Sequence, residues 1–243
     1  MKQNGRERLI FALDVDDFAT AEMWVKHLHE NVGLFKVGKQ LFTHCGPAVV
    51  EMIQNYGSDV FLDLKYHDIP NTVARAAVEA CKLGVKIFNV HALGGAEMMR
   101  KTVAEVDAYC AATGSSRPQM LAVTILTSST EETLREVGID RPVEEMVVRL
   151  AKLSQSAGFS GVVASPKEAA LIRDACGADF AIVTPGVRPT FAALNDQKRV
   201  TTPAQAIAAG ATALVIGRPI STADNPLAAA GKILFEIEGA LAG

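Results

Sequence analysis

The sequence predicts an α/β fold, a single-domain (β/α)8 barrel, on three observations. Short β-rich apolar runs recur eight times along the chain. Segments with helical patterning, rich in Ala, Glu, Lys and Leu, lie between them. The series fills 243 residues without a compositional break or a Gly/Ser linker. Alternation of strand and helix implies βαβ units and a parallel sheet. Eight such units in a chain of about 250 residues favour closure into a TIM-type barrel over an open doubly wound sheet. Residues 1–243 are read as one domain.

In chain order, the first run is Leu9–Val15, followed by helical patterning over Phe18–Glu30. Gly33–Gly38 is the second strand and Pro47–Tyr56 the next helical segment. Val60–Lys65, Thr72–Leu83, Lys86–His91 and Ala96–Ala111 repeat the alternation. Met120–Leu126 is the fifth strand, and the long connection Thr127–Pro142 leads to helix Val143–Ala157. Gly161–Ala164 follows, and Ser165-Pro166 reads as N-cap and N1 of a helix over KEAALIRDA. Phe180–Thr184 precedes a second long connection, Pro185–Thr201. Thr202-Pro203 again reads as cap and N1 of helix Pro203–Ala209, with Gly210 as its C′ glycine. Ala213–Gly217 closes the set. The strands are nearly continuous apolar runs, as expected when both faces of a parallel sheet are covered. Long ordered loops in compact domains are often lids or binding loops.

Composition narrows the function classes. The formal net charge is −3, so no basic excess grips a polyanion, and nucleic-acid binding is not expected. A small phosphorylated ligand needs only a few local cations. Cys45, Cys81, Cys110 and Cys176 form no CxxC pair and read as reduced thiols of a cytoplasmic protein. No stretch approaches about 18 apolar residues, so no membrane span is expected. The N-terminus has no signal-peptide pattern.

In a barrel, the C-terminal ends of the strands and the loops after them build the site. Asp14 ends the first strand, Lys36 interrupts the second, and Asp63 and Lys65 end the third, with Asp68 and Thr72 just beyond. Asp63 and Lys65 are two apart and share a face. Unpaired buried charges cost several kcal/mol (roughly), so these groups must pair. Lys36, Asp63, Lys65 and Asp68 are expected to form an alternating neutral network. The alternative is a salt-bridge cluster that merely ties strands together. Flanking carboxylates favour the ammonium form of Lys65. That suits a proton donor rather than a Schiff-base nucleophile.

Gly-Arg sequences lie at the other side. Gly217 and Arg218 stand at the tip of the eighth strand, and Arg188 and Gln197 in the loop after the seventh. Loops after strands seven and eight commonly bind phosphate in such barrels. Gly217 lets a backbone N–H approach a phosphate, and Arg218 can bind it bidentately. Lys198 and Arg199 read as solvated loop charges. His27 and His29 do not share a helix face, and no metal site is expected there. His91, ending strand four, is a candidate lining residue. Thr124 and Thr127-Ser128-Ser129 are candidate hydrogen-bond donors to a ligand ring. No Walker A, GxGxxG, HExxH or GxSxG pattern is present.

FLDLKYHDIPNT resembles the DxKxxDIPxT signature of the orotidine 5′-phosphate decarboxylase family. FALDVDD, FKVGKQLF, NVHALGG, AVTILTS, TPGVRP, DQKRV and IGRPI resemble that family's other segments, in its order. The resemblance implies decarboxylation of orotidine 5′-phosphate to uridine 5′-phosphate, with neither metal nor organic cofactor. It implies that Asp14 and Lys36 hold the ribose and Asp63 faces the substrate carboxylate. Lys65 delivers a proton to C6, and Thr127 lies near the pyrimidine. Arg188, Gln197, Gly217 and Arg218 bind phosphate. It further implies a homodimer in which Asp68 and Thr72 reach into the neighbouring site. The nearest rival is a Mg²⁺-dependent sugar-phosphate decarboxylase or synthase of the same superfamily, which carries an acidic residue where this chain has Lys36. An inactive scaffold barrel and a lysine aldolase are the more distant alternatives.

Overall fold

In the computed structural model, which describes residues 4–191 and 201–242, eight parallel strands close on themselves in chain order. They are β1 (Leu9–Ala12), β2 (Leu34–Gly38), β3 (Asp59–Tyr66), β4 (Ile87–His91), β5 (Gln119–Val123), β6 (Gly161–Val163), β7 (Ala181–Pro185) and β8 (Ala213–Ile216). Closure is made by β1 against β8, with Phe11 opposite Ile216. The outer layer comprises α1 (Phe18–Leu28), α2 (Lys39–Cys45), α3 (Ala48–Asn55), α4 (Pro70–Lys82), α5 (Gly95–Thr113) and α6 (Glu131–Glu136). It continues with α7 (Val143–Ser156), α8 (Ala169–Cys176), α9 (Pro203–Ala208), α10 (Arg218–Ser221) and α11 (Pro226–Ala242).

Strand periodicity divides the apolar residues into two cores. One parity points outward, where Leu9, Phe11, Phe35, Leu62, Phe88 and Ile182 pack under the helices. The other points into the barrel, where Ile10, Leu34, Phe61, Ile87, Leu121, Val163 and Val215 fill the interior. Extending the inward parity toward the strand C-termini leads to Asp14, Lys36, Asp63, Asn89 and His91 on the first four strands and the turns after them. On the other four it leads to Val123, Val163, Pro185 and Gly217. The mouth therefore has a polar half and an apolar half.

Capping follows the sequence at several helix starts. Asp17 accepts the Thr20 N–H at 2.7 Å to start α1. Thr202 and Gln205 form a reciprocal capping box at α9, with Pro203 at N1. Gly210 follows that helix at φ +103°, a conformation open to glycine. At Ser165 the expectation fails. Its hydroxyl accepts the Lys167 N–H within a turn, and α8 begins only at Ala169. A local side-chain turn has captured the cap that a helix start would use. The connection after β5 also holds α6, capped by Thr130 with Thr133 where Glu or Gln is usual. Arg173 ties α8 to the strand starts, donating to the carbonyls of Gly177, Ala178, Phe180 and Gly210. All four cysteines are free thiols. Among the described residues no helix is long and apolar enough to cross a membrane.

Candidate active site

The polar half of the mouth is a chain of ion pairs. Lys36 Nζ lies 3.0 Å from Asp14 Oδ1 and 3.5 Å from Asp63 Oδ2. Lys65 Nζ lies 2.6 Å from Asp63 Oδ1. The side chains of Lys36 and Asp63 are only 11% and 12% exposed, whereas that of Asp14 is 70% exposed. Two ammoniums and two carboxylates sum to zero, which lowers the cost of holding them together in a water-poor site. Gly38 makes room for this packing. A Cβ there would stand 3.3 Å from Lys36 Nζ and 3.6 Å from Asp14 Oδ1.

The sequence reading put Asp68 in this network. The structure puts Asp14 there instead. Asp68 is exposed in the turn after β3, and its carboxylate accepts the N–H of Ile69 at 2.6 Å. Thr72 is exposed on the first turn of α4, and its side chain points to no group of the network by any hydrogen bond among the described residues.

Asp63 and Lys65 meet as expected, but not through a regular strand. Leu62 pairs with Phe88 and Tyr66 with Val90. Three residues of β3, Asp63 to Lys65, thus face one residue of β4, Asn89. Lys65 absorbs the excess at φ 51°, the only non-glycine with positive φ among the described residues. Such a conformation costs about 1–2 kcal/mol in a lysine. Asn89, fully buried, spans the irregularity. Its Oδ1 accepts the Lys65 N–H at 2.8 Å and its Nδ2 donates to Asp63 Oδ1 at 2.7 Å. That amide orientation is dictated by chemistry, because a backbone N–H only donates and an ionised carboxylate only accepts. Sequence reasoning missed Asn89. Its signal was there, a polar residue at the inward parity of an apolar strand, two before His91.

Two adjoining cavities share Lys36, Asp63 and Lys65. One, about 230 Å³, runs past Asp14, Gly38 and Gln40. The other, about 260 Å³, extends over Val123, Ile125, Thr127, Val163, Pro185 and Val215. A ligand spanning both meets charged groups on one side and an apolar floor on the other. Thr127 lines this second cavity as expected. Thr124 does not. It is buried, and its hydroxyl donates to the Val163 carbonyl at 3.3 Å, tying β5 to β6.

Gly217 and Arg218 stand where β8 turns into α10, with Arg218 exposed. A Cβ on Gly217 would come within 3.2 Å of the Ala12 methyl, so the close approach of β8 to β1 favours glycine. Arg188 is half-buried after β7, and its N–H donates to the Thr201 carbonyl at 3.1 Å. Gln197, Lys198 and Arg199 lie outside the described residues. His91 sits beside His67, ring centroids 5.6 Å apart. Burial, reinforced by His67, Lys39 and Lys65, pushes its imidazole down to about 4, so it is neutral at physiological pH.

Residues 7–233 match the family described as orotidine 5′-phosphate decarboxylase / HUMPS. An orotidine 5′-phosphate decarboxylase of Syntrophotalea carbinolica is 63% identical over 241 residues, covering 99% of each chain. One from Geobacter sulfurreducens is 64% identical over 236 residues, 97% of this chain and 98% of that one. The crystal structure of orotidine 5′-phosphate decarboxylase from Lactobacillus acidophilus superposes with a TM-score of 0.80 at 38% identity, covering 94% of this chain and 98% of that one.

Proposed function

The chain belongs to the orotidine 5′-phosphate decarboxylase / HUMPS family, and from that premise we propose that its barrel mouth converts orotidine 5′-phosphate to uridine 5′-phosphate and CO₂. The observation that carries the reading is Asp63 and Lys65 held 2.6 Å apart where the two cavities meet. In this reaction the C6–carboxylate bond breaks and its electron pair stays on C6. Lys65 Nζ then gives C6 a proton, CO₂ departs, and solvent reprotonates the lysine.

The pair on C6 lies in an sp² orbital that the pyrimidine ring does not delocalise well. A preorganised ammonium stabilises it where it forms. Asp63, beside the leaving carboxylate, opposes the ground state, and stabilisation of the transition state is the larger effect in this reading. The ribose occupies the cavity of Asp14 and Lys36, and the pyrimidine the apolar one beside Thr127. Arg188, Gln197, Gly217 and Arg218 hold the phosphate. Binding energy from that remote group favours the assembled site over the open one.

The reaction needs no metal in this reading. Lys36 lies between Asp14 and Asp63, and together with Lys65 it already neutralises them, so an added divalent cation would meet ammoniums rather than free carboxylates. The working unit is a cytoplasmic homodimer of single-domain barrels spanning residues 1–243. Asp68 and Thr72 of each chain complete the other's site. Such a contact would cover Ile69, 66% exposed beside Asp68.

The test is loss of orotidine 5′-phosphate ultraviolet absorbance with purified protein in excess EDTA. Conversion to uridine 5′-phosphate is expected. Folded protein that is inert under these conditions but acts on sugar phosphates with Mg²⁺ would overturn the proposal in favour of the metal-dependent branch.

A further inference from the structure

We infer that Asn89 is a positioning residue for this reaction, one carboxamide that sets both the proton donor and the carboxylate opposing it. The inference rests on the proposed function for its kinetic consequences, but its geometry stands on its own. Where β3 carries three residues against one, the sheet ladder is interrupted. The Asn89 side chain replaces the missing ladder contact, accepting the N–H of Lys65 at 2.8 Å. That bond anchors Lys65 in its left-handed conformation, which aims Nζ back to Asp63. The other end of the carboxamide holds Asp63 Oδ1 at 2.7 Å and limits rotation of the carboxylate. A purely apolar residue at this inward position would fill the same space, as Phe61 and Ile87 do one layer below. It could satisfy neither partner.

Other ionisable groups around position 89 define what a test must control. They are Asp63 and Lys65 on β3, Lys36 on β2 and His91 on its own strand, while β5 presents Leu121 opposite. Asn89→Asp keeps the size and the acceptor for the Lys65 N–H. Ionised, it loses the donor and sets a second carboxylate against Asp63. Protonated, its O–H donates to Asp63 and its carbonyl accepts from Lys65, as the amide does.

Where ionised, the variant should therefore lose about a hundredfold in kcat, the scale expected for a misplaced reacting group, with KM changed no more than about threefold. Its kcat relative to wild type should recover as pH falls. Asn89→Leu should show the same loss with no recovery. A merely space-filling role predicts that Asn89→Leu keeps wild-type kcat. Asn89→Leu kcat within about threefold of wild type at neutral pH would overturn the inference.

A second measurement needs neither folded variants nor turnover. Hydrogen exchange on the wild-type protein should show a strongly protected Lys65 amide. Rapid exchange there would overturn the inference. If wild-type protein does not consume orotidine 5′-phosphate, the proposed function fails, and Lys65 protection still decides whether Asn89 anchors the strand.

Discussion

Replacing Lys65 with Met separates chemistry from folding. The side chain is 24% exposed and its ammonium lies 2.6 Å from Asp63. In the proposed reaction it faces a developing negative charge on C6. Unit charges about 3 Å apart at an effective dielectric of about 20 attract by about 5 kcal/mol. That corresponds to a rate factor of roughly ten thousand. Part of it is recovered by water entering the space left by the ammonium, so kcat/KM should fall between about a thousandfold and ten-thousandfold. Stability should change little. Asp63 keeps the Asn89 amide at 2.7 Å and Lys36 at 3.5 Å, so its charge is not left uncompensated. The expected cost is about 1 kcal/mol, the scale of one lost hydrogen bond. Initial rates from orotidine 5′-phosphate absorbance give the first quantity, and urea titration of the variant the second. A loss of only tenfold would mean that another group supplies the proton. A stability loss above about 3 kcal/mol, the scale of a broken buried pair, would mean that Lys65 is chiefly a structural tie.

Three other perturbations address the rest of the site. Arg218→Ala should lower kcat/KM by roughly a hundredfold, since charge-assisted hydrogen bonds contribute about 3 kcal/mol at most; an unchanged value in the same absorbance assay would remove Arg218 from phosphate binding. His91→Gln should make stability less sensitive to acid. The unfolded imidazole gains its proton near its ordinary value of 6.5, the folded one only at about 4. Between these values the unfolded state binds more protons, so His91 contributes stability that is present above 6.5 and lost as pH falls toward 4. Urea midpoints at pH values across that window, equal in their decline for variant and wild type, would contradict this. Mixing inactive Asp68→Ala and Lys65→Ala subunits should restore about a quarter of wild-type activity, because random pairing makes half the dimers mixed and each carries one intact site. No recovery after verified exchange would refute a shared site.

Much of this architecture was legible because barrels obey period-two alternation. The eight runs and the inward placement of Lys36 and Asp63 follow from local sequence. What escaped depends on register between strands. Asp14 enters the network through its 3.0 Å contact with Lys36 from the turn after β1, and within one chain Asp68 stays outside it, its carboxylate accepting the Ile69 N–H. The left-handed Lys65 is invisible to pattern, since nothing in LDLKY announces that β4 will offer one residue for three. Thr124 looked like a ligand donor because its hydroxyl was free on paper. In the fold that hydroxyl bonds the neighbouring strand. Ser165 shows the same competition at a helix start, where a local turn took the hydroxyl first.

The division of the mouth into a charged half and an apolar half bears directly on how the proposed reaction would work. Asp14, Lys36, Asp63 and Lys65 sum to zero charge before substrate arrives. A bound carboxylate adds one negative charge, and the carbanion-like state carries the same one. Net charge is therefore constant through bond cleavage, and uniform attraction to the site accelerates nothing. What changes in the proposed reaction is position: charge moves from the carboxylate, placed near Asp63, onto C6, placed near Lys65. A carboxylate and an ammonium fixed 2.6 Å apart convert that short displacement into a difference in energy, repelling where the charge starts and attracting where it ends. The effect depends on the pair not turning to solvate the substrate. Asn89 bonds both members of it, while the apolar lining from β5 to β8 offers water few hydrogen-bond partners on the other side. The network's rigidity, more than its charge, is then what the reaction draws on.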